Sequence, residues 1–234
     1  MIPRNHLLLA LYRAQPGAFS THVREVTLSY GDTVFEEGTI PRSVVFPEGA
    51  LLSSLTATAD GRMVEVAALG QEDAAGVLSC LTAEPETCRT VVRIGGPAKT
   101  IPAQVLKTAA DADEGVRRVL LHSIRRVAAR TEHELACNAL HDVTSRLAKW
   151  LLLTRGRTGE DRLALTQEDM AVFLGVQRTT VNASAVTLKA AGAIKYSRGV
   201  VHVLDPARLE AFACECYAHA GADTEPGAGS RQVA

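Results

Sequence analysis

What the chain has little of narrows the field first. It contains no apolar run of membrane-spanning length and no signal-peptide pattern at its start, so a soluble cytoplasmic protein is expected. Net charge is nearly absent, −1 at pH 7 over 234 residues, and that balance by itself says nothing about nucleic acid. Cysteines are few and odd in number: Cys80, Cys88, Cys137, Cys214 and Cys216. An odd set in a reducing compartment argues against a disulfide framework. Cys214-x-Cys216 is too sparse by itself for a metal site, which usually takes four ligands at suitable spacing, so no metal is expected. No nucleophile–base pairing, metal motif or phosphate-binding loop stands out, so the chain does not read as an enzyme. There is no internal repeat, and the single tryptophan, Trp150, reads as a core residue.

What is present is organised in blocks. Residues 5–14 have the pattern of a short amphipathic helix ending before Pro16-Gly17. From 23 to 105, short apolar stretches (26–30, 44–46, 51–58, 63–69 and 89–94) alternate with Gly, Pro and Asp, as in an antiparallel barrel or sandwich. Asp60-Gly61 is a tight hairpin signal. A helix is expected over 113–136, where Leu120, Ile124, Val127 and Thr131 alternate four and three residues apart, the spacing of a two-helix seam. A second helix, 139–154, carries Leu140, Val143, Leu147, Trp150 and Leu151 on one face. Arg117, Arg118, Arg125, Arg126, Arg130, Arg146, Lys149, Arg155 and Arg157 make the stretch 115–157 basic, which allows local phosphate contact in a chain neutral overall. A last helix over 205–217 precedes a Gly- and Ala-rich tail expected to be disordered.

Residues 165–205 are the most specific stretch. Thr166 is an N-cap candidate with Asp169 three residues on. Gly175 suits a left-handed turn after the helix. A second helix from Arg178 to Ala191 turns Val181, Ala185 and Leu188 inward and leaves Gln177, Arg178, Thr179, Asn182 and Ala183 outward. Two apolar runs around Ser197-Arg198-Gly199 follow as a hairpin. Helix, turn, helix and hairpin wing in this order place one helix for the major groove of DNA.

With barrel, long helix and winged helix in that order, the chain resembles the Crp/Fnr family of bacterial transcription regulators over about residues 5–217. The resemblance is carried by His141-Asp-Val-Thr-Ser-Arg146-Leu-Ala-Lys-Trp150-Leu-Leu, by 165–204, and by Leu28-Ser-Tyr-Gly31-Asp-Thr-Val-Phe35-Glu-Glu-Gly38 with Val44-Val-Phe46. It implies an α+β fold: a cyclic-nucleotide-binding-type, jelly-roll-like β-roll over 1–110, a dimerisation helix over 111–137, a winged helix-turn-helix over 138–217 and a tail over 218–234. It also implies a homodimer joined through Leu120, Ile124, Val127 and Thr131. The partners implied are double-stranded DNA with a palindromic operator and, as a candidate, RNA polymerase, with no membrane. A signal at the β-roll would shift the paired long helices and reset the spacing of the two recognition helices.

The departures from the family matter as much. cAMP-binding members carry Gly-Glu and then Arg-Ser/Thr in the β-roll. Here Gly76 is followed by Val77, and Arg89 follows Cys88 without the clean Arg-Ser pair, so Gly76 and Arg89 are the only ligand-pocket candidates and cAMP is not expected. Iron–sulfur members use clustered N-terminal cysteines, and none precedes Cys80, so no such cluster is expected. His6 and His22 are candidate haem ligands, but no cofactor is expected, and the effector is left open. In the recognition helix, the positions that hold Arg, Glu and Arg in the cAMP receptor protein hold Arg178, Thr179 and Ala183. Arg178 can still contact guanine in bidentate fashion, with Gln177, Thr180 and Asn182 as secondary contacts. Gln167 belongs to the same candidate surface, and Lys195 and Arg198 of the wing are expected to touch phosphate. The rival reading is a β-roll protein-interaction module with a vestigial helix-turn-helix.

Overall fold

The computed structural model describes residues 2–222. The chain divides into two compact units, Met1–Thr131 and Glu132–Ala234.

The first unit begins with α1 (His6–Ala14), whose N-cap Asn5 accepts from the Leu8 amide. The Asn5 amide also donates to the carbonyls of Pro47 and Asp73, at 2.9 and 2.7 Å, so a buried polar group is satisfied on both sides. Strands β1 (Arg24–Leu28), β2 (Thr33–Phe35), β3 (Ser43–Pro47), β4 (Leu51–Ala57) and β5 (Met63–Leu69) follow. Then come α2 (Val77–Thr82), β6 (Arg89–Ile94), β7 (Gly96–Pro102), α3 (Ala103–Ala112) and α4 (Glu114–Leu140). The strands form two antiparallel sheets, ordered β1-β7-β3 and β2-β6-β4-β5. Strand β3 shows why they stack. Val44 and Phe46 point to a core shared with Leu8, Leu106 and Leu120, while Val45 between them packs with Leu52, Val92 and Ala98. A run buried on both faces is therefore continuous rather than alternating in hydrophobicity.

The expected strands are all present. Two more, β2 and β7, were not foreseen. β7 reads Gly-Pro-Ala-Lys-Thr-Ile-Pro, and its prolines sit near the strand ends, where fewer ladder donors are lost. The helix expected from 113 is preceded by another, α3. Asp113 separates the two, its carboxylate accepting from the Val116 amide at 2.8 Å.

The second unit holds the last turns of α4, then α5 (Val143–Thr158), β8 (Arg162–Ala164), α6 (Gln167–Leu174), α7 (Arg178–Ala190), β9 (Ile194–Ser197), β10 (Val200–Val203), α8 (Pro206–Glu210) and α9 (Cys216–Ala222). Helix α5 starts four residues later than expected because the Asp142 carboxylate caps the amides of Thr144 and Ser145. Leu140 therefore ends α4 and is 78% exposed instead of joining the α5 face. Trp150 does pack in the core, stacked on Phe173 with ring centroids 4.1 Å apart. Three strands, ordered β8-β10-β9, close the wing. The single helix expected over 205–217 is instead α8 and α9 with a break between them. The tail expected from 218 begins within α9, and 223–234 lie outside the described residues. Among the described residues, no helix is long and apolar enough to cross a membrane. The fold is thus α+β: an N-terminal β-roll, a long helix and a C-terminal winged helix-turn-helix.

Candidate nucleic-acid interface

The recognition surface is built by local chemistry. Thr166 and Asp169 form a complete capping box at the start of α6: each side chain accepts from the other's backbone amide. Gly175 closes α6 at φ 62°, a left-handed geometry that a side chain would strain. Helix α7 then starts at Arg178 with Gln177 as its N-cap residue. Val181, Ala185 and Leu188 are buried as expected. Gln177, Arg178, Thr179, Thr180, Asn182 and Ala183 are all exposed, so the first turns of α7 offer an unobstructed polar face. Gln167, the first residue of α6, donates its side-chain amide to the Asn182 carbonyl oxygen at 2.9 Å and buttresses that face. The Arg178 guanidinium lies 3.6 Å from the Glu168 carboxylate, both well exposed. Val186, 57% exposed and one turn beyond Asn182 and Ala183, was not foreseen. Helical spacing from those two residues was the available signal.

The wing tip is a two-residue turn. Arg198 has φ 50° and Gly199 φ 76°, the two positive values of a type I′ hairpin turn, between the paired residues Ser197 and Val200. Lys195 and Arg198 are both exposed.

The basic stretch 115–157 is mostly spent within the protein. Arg117 donates to the carbonyls of Ala110 and Asp111, Arg118 pairs with Glu114, and Arg126 donates to the carbonyl of Glu72. Arg130 pairs with Asp73, Arg146 donates to the Leu174 carbonyl, and Arg155 pairs with Asp161. Lys149 is buried against Glu134, at 2.7 and 2.6 Å from its two oxygens. Sequence clustering of positive charge did not reveal the distant partners Glu72, Asp73 and Leu174, which come from other elements of each unit.

The expected dimer seam is also largely consumed inside the first unit. Leu120 is fully buried in its core, and Ile124 and Val127 pack half-buried against the roll. The Thr131 hydroxyl reaches the Val66 and Val127 carbonyls, at 3.3 and 3.0 Å. The physical reason is that a long apolar face next to an apolar roll packs there first, without a second chain. Exposed along α4, instead, are Leu121, Arg125, Ala128, Glu132, Leu135 and Ala139, again four and three apart.

The β-roll and α4 line a half-open cavity of about 260 Å³ bounded by Gly76, Val77, Glu86, Thr90, Ser123 and Val127 among others. Gly76 is thus where a pocket residue was expected. Arg89 is not: its side chain is bound to Glu36 at 3.3 Å and to the Thr33 hydroxyl at 2.8 Å, and it does not line the cavity. No Lys, Arg or His lines it either. Burial raises the Glu86 carboxyl above its usual range, against a hydrogen bond from Ser79.

The expectation of no metal rested on counting Cys214 and Cys216 alone. Tertiary structure adds two more groups. Cys137, His141, Cys214 and Cys216 bring one ligand atom each to within 4.8 Å of one another. Burial, joined by the neighbouring Cys137, pushes the Cys214 thiol up to about 12. At Cys137 burial acts the same way, but the hydrogen bond with His141 and the nearby Lys149 ammonium outweigh it and lower that thiol.

The family of Crp-like helix-turn-helix domains matches residues 145–212. A CRP-like cAMP-activated global transcriptional regulator of Mycobacterium tuberculosis is 29% identical over 201 residues, 82% of this chain and 89% of the relative. Among solved structures, FixK2 from Bradyrhizobium japonicum superposes with a TM-score of 0.69 at 18% identity, covering 82% of this chain and 98% of that one. A CRP-family transcriptional regulator from Thermus thermophilus gives 0.66 at 20% identity, covering 80% and 96%.

Proposed function

We propose that this chain, which resembles the Crp/Fnr regulators and carries a Crp-like helix-turn-helix domain, is a sequence-specific DNA-binding transcription regulator. The observation that carries the proposal is the exposed polar start of α7, with the exposed cations Lys195 and Arg198 on the adjoining wing. A helix N-terminus with Arg178, Thr179 and Ala183 facing outward suits the major groove. Arg178 reads guanine; Thr179, Ala183 and Val186 offer methyl groups to thymine. Lys195 and Arg198 hold phosphates. The operator therefore differs from that of the cAMP receptor protein, since the carboxylate that accepts from cytosine is replaced by Thr179.

The regulator acts as a homodimer, which reads two half-sites about 34 Å apart. Its seam is the exposed α4 stripe Leu121–Arg125–Ala128–Glu132–Leu135–Ala139. The β-roll cavity is the sensory site. Ser123, Ile124, Val127 and Ala128 of α4 form one wall of it, so a ligand would touch the dimer helix directly. A lining with a half-buried carboxylate and no cation does not suit a cyclic phosphate, and the effector is a small uncharged molecule rather than cAMP.

The test is selection of bound sequences from a random DNA pool by the full chain, followed by fluorescence anisotropy. A two-fold symmetric consensus with salt-dependent affinity is expected. Binding without sequence preference would overturn the regulator reading. Heat released on titrating cAMP into the protein would overturn only the effector assignment.

A further inference from the structure

The cysteine–histidine cluster in the second unit plays no part in DNA reading, yet it has the make-up of a metal centre. Cys137 and His141 stand four residues apart, on one face at the end of α4, and the His141 amide still bonds to the Cys137 carbonyl at 3.1 Å. Cys214 and Glu215 lie in the break between α8 and α9, and Cys216 opens α9. The Cys137 and Cys214 sulfurs are 3.6 Å apart, and the Cys216 sulfur is 3.7 Å from His141 Nδ1. A tetrahedral zinc ion with bonds of about 2.3 Å to sulfur and about 2.0–2.1 Å to nitrogen places its sulfurs about 3.8 Å apart and sulfur and nitrogen about 3.6 Å apart. Two of the six ligand pairs therefore already stand at the separations such an ion requires, and all four atoms lie within 4.8 Å of one another.

The surroundings match as well. His141 turns Nδ1 to the cluster and holds Nε2 3.0 Å from the Glu215 carboxylate, the carboxylate–histidine–metal arrangement that fixes tautomer and ring orientation. Lys149, its side chain 3% exposed, donates to the Cys137 sulfur at 3.2 Å. Three thiolates and a dication leave one negative charge, and the Lys149 ammonium, shared with Glu134, lies beside it. Cys137 and Cys214 are buried, while His141 and Cys216 are partly exposed, which leaves a side for entry. An iron–sulfur cluster is larger than a single ion and needs its ligands spread farther apart. A Cys137–Cys214 disulfide would leave Cys216, His141 and Glu215 without a role.

We propose that Cys137, His141, Cys214 and Cys216 bind one zinc ion in a closed, tetrahedral Cys3His site. Four protein ligands leave no open position, so the ion is structural. It ties the chain at 214–216 to the end of α4 and to the bend from which α5 starts. This site stands apart from the DNA-binding reading and would exist whether or not the operator assignment holds.

The experiment uses tag-free full-length chain purified under reductant. Metal content by mass spectrometry should be one zinc per chain. Cobalt(II) added to metal-stripped protein should give the absorption bands of a tetrahedral thiolate site. Cys214→Ser with Cys216→Ser should abolish both, while Cys88→Ser should leave both intact. Glu215→Gln should keep the cobalt bands and weaken zinc about 10–100-fold in competition with a chromophoric chelator. Reduced, metal-free protein that gives no cobalt bands overturns the proposal, and so does a Cys137–Cys214 disulfide in protein as isolated, before any metal is stripped. If the double variant does not fold, the cobalt spectrum of the unaltered chain and the Glu215→Gln titration decide the matter.

Discussion

Replacing Arg178 by Ala separates folding from reading. The Arg178 side chain is 64% exposed and its charged neighbour Glu168 is 68% exposed at 3.6 Å. An exposed pair of this kind contributes only about 0.2–1 kcal/mol. Arg178 is also the first residue of α7, where alanine is well tolerated in a helix. Thermal unfolding should therefore change little. Binding should change far more, because a bidentate arginine–guanine contact discriminates by about 1–3 kcal/mol, which is about a 5- to 150-fold loss in affinity for the selected operator. The assay is anisotropy on the selected operator and on single-base variants, repeated across a salt series. Arg178→Ala should lose preference at one base position per half-site. Unchanged affinity and consensus would refute base reading by Arg178. Uniform weakening on all sequences, with the salt slope reduced by about one, would refute it differently, by making Arg178 a phosphate contact.

Other changes test the frame around that contact. Trp150→Ala removes the ring stacked on Phe173 and should cost about 3–5 kcal/mol by urea unfolding; a loss below about 1 kcal/mol would show that this core can close over the gap. Thr166→Ala breaks the capping box of α6 and should cost about 0.5–2 kcal/mol, with operator affinity falling only as far as folded protein falls. Leu120→Ala should destabilise the β-roll by about 2–5 kcal/mol and leave the sedimentation coefficient unchanged, because Leu120 is fully buried within its own chain. Leu135→Asp should do the reverse, giving a folded monomer, since Leu135 is 73% exposed; a dimer that survives it would place the interface elsewhere.

Much of the site was legible because its determinants are local. The Thr166–Asp169 cap, the left-handed Gly175 and the Arg198-Gly199 turn each depend on a few consecutive residues, and each appears where the pattern puts it. The inward and outward faces of α7 followed from helical period alone. Less legible were β7, hidden by its own prolines, and α3, where a break at Asp113 interrupts what reads as one helix. The surroundings of the α4 stripe were hard to read for a different reason. Period finds an apolar stripe but not its partner, and Leu120 and Leu121 differ by about 100° around the helix, enough to put one in the core and the other in solvent.

The sequence by itself determined that this protein has a roll, a long helix and a winged helix-turn-helix, and which side chains of α7 face outward. Caps, turns and periodicity are short-range effects, decided before distant parts of the chain meet. Tertiary structure alone decided which cations are spent on internal carbonyls and carboxylates, which face of α4 stays open, and that Arg89 lies outside the cavity. It also decided that Cys137 meets Cys214 across 77 residues of chain. No spacing rule spans such a separation, because only the packed α5 region brings the two ends together.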